Sequence, residues 1–169
     1  MPTSAPPERR GRQIEAAVVR LLAERGQTLA LAESCTGGCL AHRVTNVPGA
    51  SAVFPGGVVA YSNAAKRKFL GVRAKTLSRH GAVSAAVARE MARGARKKFG
   101  ADFAIAVTGI AGPGGGTKRK PVGTVFIALA DGCETAVGRK MNPSGREQFK
   151  RDTANQALKM LHTRLMRTG

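Results

Sequence analysis

Short, almost wholly apolar runs alternate along this chain with longer stretches whose apolar residues recur at helical spacing. The runs cover residues 28–32, 56–61, 102–107 and 122–130, and most of them end in a corner rich in Ser, Thr, Asn or Gly. Runs this short and this apolar fit strands covered on both faces. The stretches between them read as helices. Residues 8–26 place Ile14, Val18, Leu21 and Leu22 on one face and stop at Gly26. A short helix follows over 39–47, and another starts from Ser62. Residues 84–99 bury Ala88, Met91, Ala92, Ala95 and Phe99, with Ser84 as N-cap and Gly100 as terminator. Residues 72–81 read as a short helix and a loop. The last helix opens on Ser144-Gly145-Arg146-Glu147, a reciprocal Ser/Glu capping pattern, and buries Ala154, Ala157, Leu158, Leu161 and Leu165. Asp131-Gly132 offers a tight turn, so residues 134–140 are expected to pair antiparallel with 122–130. The alternation, with one hairpin, implies an α/β fold: a three-layer α/β/α domain around a mixed sheet. One domain over 8–169 is expected, behind a disordered leader over 1–7.

Charge and cysteine content narrow the setting. The formal net charge is +18, which points to polyanions, either nucleic acid or phosphorylated small molecules. The basic triplets 66–68, 96–98 and 118–120 are not interleaved with aromatic residues that could stack on bases, so any nucleic-acid affinity would be non-specific and salt-sensitive. The alternative is that these cations simply decorate solvent faces. No apolar stretch reaches the length of a membrane span, and the start lacks the apolar core of a signal peptide. Three irregularly placed Cys do not make a disulfide framework. A reduced, cytoplasmic location is the expectation.

Chemistry is suggested at three strand-end corners. Ser34 ends the first apolar run and is followed by Thr36-Gly37-Gly38, whose backbone N–H groups at a helix start could hold an oxyanion or a phosphate. Ser34 as a mere helix cap is the competing account. A serine nucleophile needs a base. His42, His80 and His162 have no local partner pattern, whereas Lys66 follows the second run in a stretch from Ser34 to Arg89 that holds eight Lys or Arg and no Asp or Glu. A lysine without acidic neighbours is less held in its charged form. From the residues alone, Lys66 reads first as one more surface cation. Tyr61, Ser62 and Asn63 precede it and could orient base or substrate. The third corner, Thr108-Gly109 running into 110–116, is Gly-rich but lacks the Gly-Lys-Ser/Thr ending of a P-loop, so it reads as a loop that wraps a phosphate or closes a site. Cys35, Cys39 and His42, at i, i+4 and i+7, are a metal-site alternative with no fourth ligand in view; neither metal nor cofactor is expected.

Together, Ala32-Glu33-Ser34-Cys35-Thr36-Gly37-Gly38, Val59-Ala60-Tyr61-Ser62-Asn63 with Lys66, His80-Gly81-Ala82-Val83-Ser84 and the segment from Val107 to Gly115 resemble the CinA C-terminal domain family. The four motifs fall in the same order over about residues 10 to 165. The resemblance implies a roughly five-stranded α/β/α fold and a homo-oligomer. It also implies hydrolysis of nicotinamide mononucleotide to nicotinate mononucleotide and ammonia, as in the family's stand-alone nicotinamide-nucleotide amidases. Ser34 and Lys66 take the catalytic dyad, with Thr108 and Tyr61 positioning it. Substrate contacts are expected at Cys35, Thr36, Gly37, Gly38, Asn63, Gly109, Gly112, Gly114 and Arg146. The rival is a catalytically silent binding domain acting on nucleic acid or on a partner of damage and competence systems. The chain departs from the family at the last helix, where Gly-Asp-Arg is replaced by Ser144-Gly145-Arg146.

Overall fold

The computed structural model describes residues 7–167, with side chains described from Ile14 onward. Of the leader expected over 1–7, residues 1–6 lie outside the described residues, and Pro7 already opens the first helix. The elements run α1 (Pro7–Glu24), β1 (Leu29–Glu33), α2 (Cys39–Thr45), a 3-10 turn (Ala50–Ala52), β2 (Gly56–Val59), α3 (Asn63–Leu70), α4 (Ala74–His80), α5 (Ala85–Phe99), β3 (Phe103–Gly109), β4 (Thr124–Ala130), β5 (Thr135–Met141) and α6 (Arg146–Arg167). The strand order is β2-β1-β3-β4-β5. β1 pairs parallel with β2 and β3, whereas β3–β4 and β4–β5 are antiparallel. The sheet is therefore mixed and five-stranded, between two helical layers, as the alternation of runs predicts.

The two faces of the sheet are built from different residues. Leu29 and Leu31 of β1, Phe103, Ile105 and Val107 of β3, and Val125, Ile127 and Leu129 of β4 pack with α1, α2 and α6. The alternate positions on the other face are Ala30, Ala32, Ala104, Ala106, Ala128 and Ala130. α5 meets them with Ala88, Ala92 and Ala95, so small residues on both sides let it lie close to the sheet. α3 comes equally close to α5: a Cβ added at Gly94 would run into the Leu70 carbonyl. Ser84 caps α5 by accepting from the Val87 N–H, and Gly100 closes it in the left-handed conformation at φ 60°, as the sequence predicts.

Two local expectations need correction. The β4–β5 connection is a four-residue turn rather than a two-residue one: Asp131 Oδ1 accepts from the Cys133 and Glu134 N–H groups, and Ala130 pairs with Thr135. The Asp side chain thus supplies bonds that a tight turn would draw from backbone. The Ser144/Glu147 capping box does not form. α6 begins one residue later than that pattern requires, and the Phe149 N–H donates to the Gly145 carbonyl. Glu147 instead pairs with Arg151, while the Ser144 hydroxyl faces the Asp152 carboxylate at 3.4 Å.

The order of the first three strands decides where a site can lie. The link from β1 through α2 to β2 covers one face, and the link from β2 through α3, α4 and α5 to β3 covers the other. The chain therefore leaves the carboxyl ends of β1 and β2 toward opposite faces, which opens a crevice there. Ser34 is the first residue past β1.

Candidate active site

Glu33 shapes the corner, and it is a residue the sequence analysis missed. Its side chain is buried at the end of β1 and accepts four hydrogen bonds. The donors are the Thr36 hydroxyl at 2.6 Å and the N–H groups of Gly38 at 3.0 Å, Leu40 at 3.1 Å and Ala41 at 2.7 Å. A carboxylate against the first N–H groups of a helix satisfies donors that otherwise have no intrahelical partner. This corrects the expected oxyanion site. Of the N–H groups from Thr36 to Gly38, that of Gly38 goes to Glu33 and that of Gly37 to the Ser34 carbonyl at 3.1 Å. The N–H groups of Cys35 and Thr36 have no carbonyl or carboxylate partner among the described residues. The signal for Glu33 was an acidic residue ending an otherwise apolar strand just ahead of a helix start.

Ser34 continues the β1–β3 pairing by donating its N–H to the Val107 carbonyl at 3.1 Å, and it is 8% exposed. Lys66 reaches it from the second turn of α3, where Ser62 caps the helix by accepting from the Ala65 N–H. The lysine is only 1% exposed, among the largest fully buried side chains of the protein. Its Nζ lies 2.9 Å from Ser34 Oγ, 3.0 Å from the Ala60 carbonyl oxygen and 3.3 Å from the Tyr61 carbonyl oxygen. Among the described residues no carboxylate lies within ion-pair distance of it. Burial pushes its pKa below the ordinary lysine value, opposed only by the nearby Cys35. An unpaired buried ion costs several kcal/mol even after relaxation, and here no carboxylate offsets that cost. The amine is therefore shifted toward its neutral form.

The remaining predicted residues divide. Arg146 bridges two of the corners: Nη1 donates to the Gly112 carbonyl and Nη2 to the Tyr61 hydroxyl, both at 2.6 Å. Tyr61, Gly112 and Arg146 thus come together, with Tyr61 also offering its carbonyl to Lys66. Gly145 stands where the resemblance leads one to expect Asp, and Arg146 makes both bonds without it. Thr108, buried on β3, donates its hydroxyl to the Ala82 carbonyl at 2.8 Å, so it ties the 80–84 segment to the crevice and has no bond to Ser34 or Lys66. Thr36 gives its hydroxyl to Glu33. Cys35 turns its thiol into the core, where burial raises its pKa to about 12. Gly109 is required by packing, since a Cβ there would come within 2.8 Å of the Thr124 carbonyl. Gly114 and Asn63 are exposed, and Gly114 has open space about it. The metal alternative fails: Cys35 precedes α2 with a buried thiol, His42 sits beside Asn46, and no cluster of three ligating side chains exists among the described residues.

A second missed residue is Lys150, one turn beyond Arg146 on α6. A Cβ placed on Gly37 would lie 3.5 Å from its Nζ, and it has no hydrogen-bond or ion-pair partner among the described residues. The Gly37 N–H to Ser34 carbonyl bond closes a tight turn, so this cation stands over the Ser34 corner. The i, i+4 relation of Arg146 and Lys150 on one helix was the available signal.

The CinA C-terminal domain family model matches residues 11–165. A CinA-like protein of Synechococcus sp. (strain CC9902) is 53% identical over 155 residues, covering 90% of this chain and 37% of that protein. One of Geobacter sulfurreducens is 54% identical over 153 residues, covering 90% and 37%. The chain thus spans little more than a third of the length of these relatives. Among solved structures, a competence-damaged protein (CinA) superfamily protein of Klebsiella pneumoniae superposes with a TM-score of 0.89 at 38% identity, covering 93% of this chain and 98% of that one. A competence/damage inducible protein of Agrobacterium tumefaciens gives the same TM-score and identity over 96% and 98%.

Two outcomes follow from this geometry. Glu33→Ala strands buried N–H donors and should lower unfolding free energy by about 3 kcal/mol or more in urea denaturation, with Glu33→Gln intermediate. For Lys66 the sign is fixed by its lowered pKa. The unfolded chain binds the proton more tightly, so stability is lowest at low pH and rises as pH climbs through the folded-state pKa toward 10.5. Lys66→Met removes that slope, and denaturation at several pH values should show its stability advantage over the parent shrinking as pH increases.

Proposed function

This chain belongs to the CinA C-terminal domain family, and from that premise we propose that it is an amidohydrolase releasing ammonia from nicotinamide mononucleotide with a Ser34–Lys66 dyad. The observation that carries this reading is the 2.9 Å approach of a buried, carboxylate-free lysine to a strand-end serine. A neutral lysine has two N–H groups and one lone pair. The Ala60 and Tyr61 carbonyls accept the two N–H groups, which leaves the lone pair for the Ser34 hydroxyl proton.

In the first half-reaction Lys66 takes that proton as Ser34 Oγ attacks the carboxamide carbon. The N–H groups of Cys35 and Thr36, which bond no carbonyl or carboxylate and lie against the Cys35 sulfur in the resting site, are the donors that would turn to the oxyanion. Collapse breaks the C–N bond, and Lys66 passes its proton to the departing nitrogen, which leaves as ammonia. In the second half-reaction water attacks the acyl ester, Lys66 removes one water proton and returns it to Ser34 Oγ as the carboxylic acid leaves, and the acid gives its remaining proton to solvent. Tyr61 and Arg146 fix the entrance, with the Gly112 loop held against them. Lys150, over the same corner, supplies an uncommitted cation for the substrate phosphate. A cytoplasmic homo-oligomer is the setting this reading assumes; among the described residues no helix is long and apolar enough to cross a membrane.

Ammonia release from nicotinamide mononucleotide is the deciding measurement. Ser34→Ala should reduce kcat by about 10³-fold or more; wild-type turnover by that variant would eliminate the dyad. In the same assay Lys150→Ala should raise KM about 10-fold with kcat nearly unchanged, since a phosphate contact binds ground and transition states alike. The effect should vanish with the dephosphorylated riboside as substrate.

A further inference from the structure

The outward face of α3, α4 and α5 has a feature that amide hydrolysis does not use. Residues 63–99 carry ten Lys and Arg besides the buried Lys66, against one acidic residue, Glu90. That acid is already engaged: it pairs with Arg73 at 2.6 Å and accepts from the Thr76 hydroxyl at 2.8 Å. α5 rests on the sheet through Val87, Ala88, Met91, Ala92 and Ala95. Arg89, Arg93 and Lys97 therefore form a row on the opposite side, rising about 6 Å per step. Arg93 touches the Thr135 hydroxyl, and none of the three has an ion-pair partner among the described residues. Between α3 and α4 the basic surface continues as a groove of about 620 Å³ whose lining includes Arg67, Lys68 and Arg73. Elsewhere Glu15, Glu24, Asp131 and Glu147 each answer an arginine. Cations without an ion pair also lie on the 118–120 loop, β5 and α6, but α3–α5 carries the longest run of them among the described residues.

We propose that the α3–α5 face docks the phosphate backbone of double-stranded nucleic acid without reading its sequence. Like-charged residues at i, i+4 repel, so the row on α5 is unfavourable to the free protein and is relieved only by an external anion. A symmetric pairing with a second copy of the chain does not supply that anion, because the face would meet its own charge. A membrane surface fits less well: the one large apolar side chain exposed within these helices is Phe69, and the Lys68 ammonium lies 5.5 Å from its ring centroid. A duplex presents one negative charge per about 1.7 Å of axis, so cations about 6 Å apart along a helix each find a phosphate within reach. Asn63 is the only Asn or Gln in 63–99, so bidentate contacts to base edges have almost no side chains to make them. This inference stands independently of the amidase reading.

Fluorescence anisotropy with a labelled random-sequence duplex of about 30 base pairs tests it, starting near 50 mM salt. The full chain should bind with log K falling against log salt at a slope of about −4. The triple variant Arg89→Glu, Arg93→Glu, Lys97→Glu should lose affinity by about 100-fold or more and flatten the slope by about 3. Arg20→Glu, Lys159→Glu, Arg167→Glu makes the same charge change on α1 and α6 and should cost less than about 5-fold. If the first triple misfolds by circular dichroism, Arg93→Glu alone should flatten the slope by about 1. Equal losses in the two triples, no binding at the lowest salt, or binding to phosphatidylserine vesicles where the duplex does not bind would overturn the proposal.

Discussion

Four hydrogen bonds to the Glu33 carboxylate hold the corner on which the rest of the site is built. The carboxylate ends β1, anchors the first turn of α2 and takes the Thr36 hydroxyl. Each of these bonds joins a charged acceptor to a buried donor, the kind worth about 1.5–3 kcal/mol apiece. They fix the turn that displays Ser34, and they also remove Gly38 from the donors available to a ligand. A Gly-rich helix start looks from sequence like an open anion site. Here a built-in anion already occupies much of it, and the donors not held by a carbonyl or carboxylate are those of Cys35 and Thr36, against the Cys35 sulfur.

The second constraint is the alanine-lined face of the sheet. Because Ala30, Ala32, Ala104 and Ala106 face alanines of α5, that helix lies close, and α3 is drawn in where Gly94 meets the Leu70 carbonyl. α3 carries Lys66, and its Nζ ends among backbone carbonyls and the Ser34 hydroxyl. Small residues in the second layer thus have a consequence for electrostatics. They bring a long cationic side chain into a space with no carboxylate, where burial favours the uncharged amine.

Much of the fold was legible because the strands are short, apolar and bounded by Gly, Ser or Asp. Elements such as α5 matched to the residue because a capping Ser84 and a terminating Gly100 set both ends locally. Two of the misses share a cause: each turned on one side chain taking a bond that sequence assigns to backbone. Asp131 did so in the β4–β5 turn, and Glu33 did so at α2. The site was half legible. Ser34 stood out by position, whereas the acid-free stretch around Lys66 was only a hint, and it is the family resemblance that joins the two. The junction of Tyr61, Gly112 and Arg146 joins residues as many as 85 apart and is set by tertiary packing. No local pattern announces such a contact.

Adjacent hydroxyl and thiol groups at Ser34 and Cys35 raise the question of which could act as nucleophile, since a thiol is intrinsically better. Strand geometry answers it. Successive side chains leave a strand end in opposite directions, so if Ser34 turns toward Lys66 then Cys35 turns into the core. There its pKa is raised to about 12, leaving roughly one thiol in 10⁵ ionised at pH 7. The hydroxyl has the reverse situation: a poor nucleophile by nature, but 2.9 Å from an amine whose proton affinity burial has weakened. Exchanging the two residues would place the thiol beside the lysine and the hydroxyl in the core. The better intrinsic nucleophile is therefore held inert, and the weaker one has the base, because of the one-residue register that Glu33 fixes.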